Sequence, residues 1–147
     1  MVGAAVSGEI IRKVSEVYEW IDSQVLEAGS LAGQCAECGK CCDFDAFGHK
    51  LFVTSVEVVH FWAAHAGALK EMVGGRCPYN VGGKCASYES RFAGCRIFSC
   101  KGDADFQSGL TEAALKKLKG LCIEYDVPYR YMDIASALNR GFGGTCL

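Results

Sequence analysis

Hydrophobic positions recur at helical spacing in two long stretches of the chain, and a shorter apolar segment lies between them. Across residues 9–27, Ile10, Val14, Val17, Ile21 and Val25 fall at steps of three and four, and Tyr18 and Trp20 widen the stripe. This period predicts an amphipathic helix with one buried face. Ser7 or Gly8 is placed to cap its start, and Gly29 lies just past its end. The second long stretch begins near Gln107. Leu110, Ala113, Ala114, Leu115, Leu118, Leu121 and Cys122 predict another helix, with Pro128 placed to stop it. Residues 127–132 then read as extended, and Asp133 can cap a short final helix running to Leu138.

Between these stretches, Leu51-Phe52-Val53 is β-type in character. Thr54-Ser55-Val56-Glu57 follows as a capping box, with Glu57 placed to reach back to the cap amide. Val58, Val59, Phe61, Trp62 and Ala66 supply the apolar side of that helix, which is expected to end near Gly67 or to run on to Met72, before Gly74-Gly75. From there to Gly102 the chain is interrupted by Gly, Pro and Cys, which predicts loops and short turns wrapped around a metal. The tail, 141–147, reads as flexible.

The expected fold class is therefore mainly α, with few short strands and a cysteine-rich, loop-dominated metal core. No repeat, low-complexity tract or long linker divides the chain. The 147 residues read as one domain, 1–147, with an N-terminal helix at 8–29, a cysteine core at 33–102 and C-terminal helices at 107–140. A chain of this size buries a core without cross-links. Hydrophobic residues make up 50% and charged residues 22%, a globular balance. The net charge of −2 gives no global attraction to nucleic acid or to an anionic membrane. The opening residues lack a basic n-region, and no apolar run approaches a membrane span, so the expected location is cytoplasmic, without membrane insertion. Thiols stay reduced there, which moves the reading of the cysteines from bridges to metal ligands.

Eight of the ten cysteines lie between Cys35 and Cys100. Cys35, Cys38, Cys41 and Cys42 form a C-x-x-C-x-x-C-C run, and Cys77, Cys85, Cys95 and Cys100 follow. Two sulfurs spaced as C-x-x-C can face one centre from a single turn while backbone amides offset the thiolate charge. All eight are candidate ligands of an iron–sulfur cluster, with 4Fe–4S the expected type, or of zinc. Neighbouring side chains diverge, so Cys41 and Cys42 do not readily share one ion. The eight thiols fill two four-thiolate sites, or one site with four thiols left for structure or redox exchange. Lys40, Arg76, Lys84, Arg96 and Lys101 stand beside cysteines and would offset thiolate charge, although each alone reads as ordinary surface charge. Phe44, Phe47, Tyr79, Tyr88, Phe92 and Phe98 are expected to form an apolar shell.

These residues carry a resemblance. The run from Cys35 to Cys42, then Cys77-Pro78, Cys85-Ala86-Ser87-Tyr88-Glu89-Ser90-Arg91 and Cys95-Arg96-Ile97-Phe98-Ser99-Cys100, resembles a cysteine-cluster family described as zinc- or iron-chelating. The step from Val53-Thr54 to Glu57 before a helix is similar to that family as well. The likeness spans about half the chain. Its usual Arg-Pro is replaced here by Arg91-Phe92. The resemblance implies metal or iron–sulfur binding. The family is related through its cysteine cluster to flagellin lysine N-methylases, whose activity is not transferred, because this chain is too short to show a separate methyl-donor domain.

Other candidates are weaker. His49, His60 and His65 are expected to be exposed or core-edge residues, since His60 and His65 miss the i, i+4 spacing of paired ligands. Asp43, Asp45, Asp103 and Asp105 read as loop or capping residues, and Lys116, Lys117 and Lys119 as a solvated helix face. Cys122 reads as a buried hydrophobe, and Cys146 as a free thiol, a fifth ligand or a redox partner. Three functions remain: an iron–sulfur protein in electron transfer, cluster handling or a redox assembly with a protein partner; a structural zinc module that mediates protein–protein contact; and a methyltransferase-like or thiol-redox enzyme.

Overall fold

A computed structural model of the chain describes residues 4–29, 52–65, 80–81, 84–85, 90–97 and 103–140. Along these residues the order is α1 (Ala4–Ala28), β1 (Phe52–Thr54), α2 (Ser55–Ala64), β2 (Asn80–Val81), β3 (Lys84–Cys85), α3 (Ala93–Ile97), α4 (Ala104–Glu124), β4 (Tyr131–Asp133) and α5 (Ile134–Arg140). The mainly α expectation holds for these residues.

The stripe on α1 is the face that packs. Ile10, Val14, Val17, Tyr18 and Ile21 are buried, and Val25 and Trp20 are partly buried against them. Each such apolar side chain taken from water contributes roughly 1.5–3 kcal/mol. The helix starts earlier than its expected caps: Ser7 and Gly8 lie inside it, because Ala4, Ala5 and Val6 extend the helix with good or tolerated formers. Its end is as expected, with Gly29 at φ 59 in the left-handed region that glycine enters without strain.

On α4 the buried positions are Leu110, Ala114, Leu118, Leu121 and Cys122. Ala113 is exposed and Leu115 is half-buried, so the stripe is narrower than expected. The helix also begins earlier, at Ala104, where Asp103 caps it by accepting from the Phe106 amide at 2.8 Å. It ends before Pro128 in a Schellman turn. Asp126 takes φ 54, and the Val127 and Asp126 amides donate to the Cys122 and Ile123 carbonyls at 2.8 and 3.4 Å. Val127 is buried beside that turn.

One apolar cluster joins α1, α2, α3 and α4, and α1 packs against the other three. A two-stranded antiparallel ribbon closes one side. β1 pairs with β4 in the register Phe52 with Asp133, Val53 with Met132 and Thr54 with Tyr131. The Phe52 and Tyr131 rings, diagonal neighbours across the ribbon, stack at 5.3 Å. Ser55 ties the start of α2 to the approach to β4. Its amide donates to the Arg130 carbonyl at 3.0 Å, and its hydroxyl donates to the Pro128 carbonyl at 2.9 Å. Asp133 then caps α5 by accepting from the Ser136 hydroxyl and amide at 2.7 and 3.4 Å.

Two expectations are corrected here. α2 ends at Ala64, three residues before Gly67 and well short of the alternative end at Met72. His65 leaves helical geometry at φ −107 and ψ 24, and its amide donates to both the Phe61 and Trp62 carbonyls at 3.2 Å. The 74–102 stretch is also more than loops and turns. It contains the β2–β3 hairpin, which pairs Asn80 with Cys85 and Val81 with Lys84, and the five-residue helix α3. Elements this short carry too few periodic positions to announce themselves.

Candidate functional site

Thr54 and Glu57 form the capping box as the sequence predicts. Thr54 sits at φ −96 and ψ 160, and its amide and hydroxyl both donate to Glu57 Oε2 at 2.9 Å. A capping carboxylate ordinarily faces water. Here Glu57 is 1% exposed, flanked by buried Val56, Val58 and Val59. Its second oxygen is also engaged. Oε1 accepts from the Tyr18 hydroxyl at 3.1 Å and from the Ala93 amide at 2.6 Å. One carboxyl group thus joins α1, the end of β1, α2 and the first residue of α3. Burial raises the Glu57 pKa above its ordinary value, against the opposing pull of its hydrogen bonds from Ala93, Thr54 and Tyr18. Burial, then the charge of Glu57, also holds the Tyr18 pKa well above the usual tyrosine value.

α3 is clamped on its flank by Arg96. The guanidinium donates through Nε to the Arg91 carbonyl at 2.8 Å, pairs through Nη1 with Asp22 at 2.8 Å, and lies 4.2 Å from the centroid of the Tyr18 ring. The Arg91 guanidinium reaches the Cys95 carbonyl at 3.5 Å. Phe92, which precedes the helix, is 2% exposed and stacks on Phe61 at 4.5 Å. Phe92 is therefore a core residue.

A cleft of about 360 Å3 opens beside this clamp, lined by Ser15, Glu19, Asp22, His60, Arg91 and Arg96 with Tyr18. Its two carboxylates and two guanidinium groups balance in charge. His60 is a core-edge residue, as expected. Its Nε2 lies 3.1 Å from Ser15 Oγ, its ring meets Tyr18 edge-on at 5.1 Å, and its buried Nδ1 has no hydrogen-bond partner among the described residues. Burial, and then the charge of Arg96, lowers its pKa. His65 packs its ring on Phe61 at 4.4 Å.

Of the eight candidate ligands, Cys35, Cys38, Cys41, Cys42, Cys77 and Cys100 lie outside the described residues, as do Cys146, His49, Asp43, Asp45, Phe44, Phe47, Tyr79, Tyr88 and Phe98. Cys85 is placed by its backbone in β3, opposite Asn80. Cys95 sits half-buried on α3, close enough to Tyr18 to bear on its titration. Among the described residues, no three His, Cys, Asp or Glu side chains converge as a metal site. The donor chemistry of the cysteines fits iron–sulfur or zinc ligation.

Cys122 is buried on α4 with its sulfur 3.4 Å from the Ser55 hydroxyl, and burial raises its pKa. That is the apolar role the sequence predicts. Lys116, Lys117 and Lys119 are exposed, with the Lys117 ammonium 4.5 Å from the centroid of the Trp20 ring. Asp103 caps α4, and Asp105 lies in its first turn. No helix among the described residues is long and apolar enough to cross a membrane.

The interior role of Glu57, Tyr18 and Arg96 was missed from sequence. The available signal was a charged residue set in an otherwise apolar run, Val56-Glu57-Val58-Val59. No family model, curated protein or solved structure matches the chain.

Proposed function

We propose that this chain is a cytoplasmic iron–sulfur protein, with a 4Fe–4S cluster held by cysteines drawn from Cys35, Cys38, Cys41, Cys42, Cys77, Cys85, Cys95 and Cys100. It acts in electron transfer, in cluster handling or as a small subunit of a redox assembly, and meets a protein partner in that role. The observation that carries the reading is the cysteine spacing, C-x-x-C-x-x-C-C followed by four more thiols within 66 residues from Cys35 to Cys100. The likeness to the chelating cysteine-cluster family rests on the same residues. Two further observations support it. Cys95 stands on a short helix clamped from α1 and α2, and Cys85 on a paired strand, so both have a fixed backbone from which to ligate. A bound cluster would supply the one-electron chemistry, and the thiolates with nearby amides and cations would set its charge.

The test is iron, zinc and acid-labile sulfide analysis with a visible spectrum, on protein purified without oxygen. Iron with matching sulfide supports the reading. Zinc without sulfide and without visible absorption overturns it in favour of a structural zinc module, since the filled d shell of zinc absorbs no visible light. Cys35→Ser and Cys38→Ser are expected to lower metal content, and full retention in both removes them from the ligand set.

A further inference from the structure

We propose that Glu57 is the positioning residue for Cys95, fixing the turn of helix that presents this thiol to the metal centre; the inference rests on the metal-binding reading above. α3 has five residues, far below the length at which a helix holds itself in water. Its conformation is therefore imposed by what it touches. Arg96 anchors its outer flank to Asp22, while Phe92 and Ile97 bury on either side. The inner anchor is Glu57, which takes the Ala93 amide at 2.6 Å, two residues before Cys95.

The carboxyl group has little freedom to move. Thr54 holds Oε2 with two hydrogen bonds, so Oε1 is aimed at Ala93 by the covalent plane of the group. Side-chain length, more than charge, decides whether Oε1 reaches α3. Aspartate at this position keeps the charge and loses one methylene of reach. Glutamine keeps the length and one accepting oxygen for Ala93; its NH2 can donate to the Thr54 hydroxyl but gives up the bond from the Thr54 amide. Proline at position 93 deletes the donated N–H and leaves Glu57 intact, at a helix position where proline is tolerated. Phenylalanine at position 18 removes the other hydrogen bond to Oε1 and spares the one to Ala93.

The experiment compares full-length wild type, Glu57→Asp, Glu57→Gln, Ala93→Pro, Tyr18→Phe and Cys95→Ser, purified without oxygen. It reads metal per chain and the rate of iodoacetamide labelling at Cys95 by peptide mass spectrometry, with thermal melts to establish folding. Wild type, Glu57→Gln and Tyr18→Phe are expected to hold metal and shield Cys95. Folded Glu57→Asp and Ala93→Pro are expected to lose metal and to label Cys95 about tenfold faster or more, the factor that loss of a charge-assisted hydrogen bond implies. If Glu57→Asp does not fold, Ala93→Pro carries the decision. Wild-type metal content and shielding in the folded variants overturn the positioning role. So does equal loss in Tyr18→Phe, which marks a general stability effect. Full metal in Cys95→Ser overturns the inference and leaves the metal-binding reading standing, whereas wild type without metal overturns that reading itself.

Discussion

The Tyr18 hydroxyl donates to the Glu57 carboxyl at 3.1 Å, across 39 residues of sequence and inside the apolar cluster between α1 and α2. Both groups have raised pKa values, so neither ionises as readily as it would in water. Four hydrogen bonds, from the Thr54 amide and hydroxyl, the Tyr18 hydroxyl and the Ala93 amide, converge on this carboxyl group and offset part of the desolvation cost of burying it.

The raised Glu57 pKa gives stability a pH dependence of definite sign. The folded chain binds this proton more tightly than the unfolded chain, whose value is near 4.5. The contribution is complete below 4.5 and is lost as pH rises through the folded pKa. The stability difference between wild type and Glu57→Gln should therefore shift against wild type as pH rises above that value. Urea unfolding of both proteins at several pH values checks this, and a difference that does not change with pH contradicts it.

His60 behaves in the opposite sense. Burial lowers its pKa below the ordinary 6.5, so the unfolded chain binds the proton more tightly. Its contribution is complete above 6.5 and is lost as pH falls through the folded value. The imidazole proton shift followed by NMR should titrate with a midpoint below 6.5. A midpoint at or above that value counts against the burial seen here.

Phe92→Ala removes a ring that is 2% exposed and stacked on Phe61. The expected loss is about 3–5 kcal/mol in urea unfolding, the usual cost of truncating a buried aromatic. Phe52→Ala, at a position 40% exposed on the ribbon, should lose much less. Equal losses would mean that Phe92 is not packed in the core.

Cys122 should resist alkylation in the native protein and react only on unfolding, because its thiol is buried and its pKa is raised. Cys122→Ala is expected to cost about 1 kcal/mol, in the range of a small core truncation, and to leave metal content unchanged. Rapid native labelling at this position, or metal loss in the variant, would place Cys122 in the functional site.

Local chemistry explains why parts of this fold were legible in sequence. Ile10, Val14 and Ile21 reveal α1 because a stripe of that period has one physical use, and Thr54 with Glu57 reveals the start of α2 because a capping box is complete within four residues. Asp133 was readable as a cap for the same reason. The second half of the Glu57 role was not legible, since its partners, Tyr18 and Ala93, come from distant segments brought together only by packing. The pairing of β1 with β4 is equally non-local, and α3 is too short to show a period. Of the candidate site, donor identity was readable from cysteine spacing, while the framing of Cys95 by Glu57 and Arg96 required the fold.

The stitch at Ser55 has a bearing on how the chain acquires its structure during synthesis. The hydroxyl of Ser55 donates to a carbonyl 73 residues downstream and accepts from an amide 75 residues downstream. As the polypeptide emerges from the ribosome, α1 and α2 can meet early, but among the described residues β1 has no partner strand until β4 has been made. Through that interval the strand is open to pairing with another nascent chain, a hazard that ends only when the C-terminal segment docks.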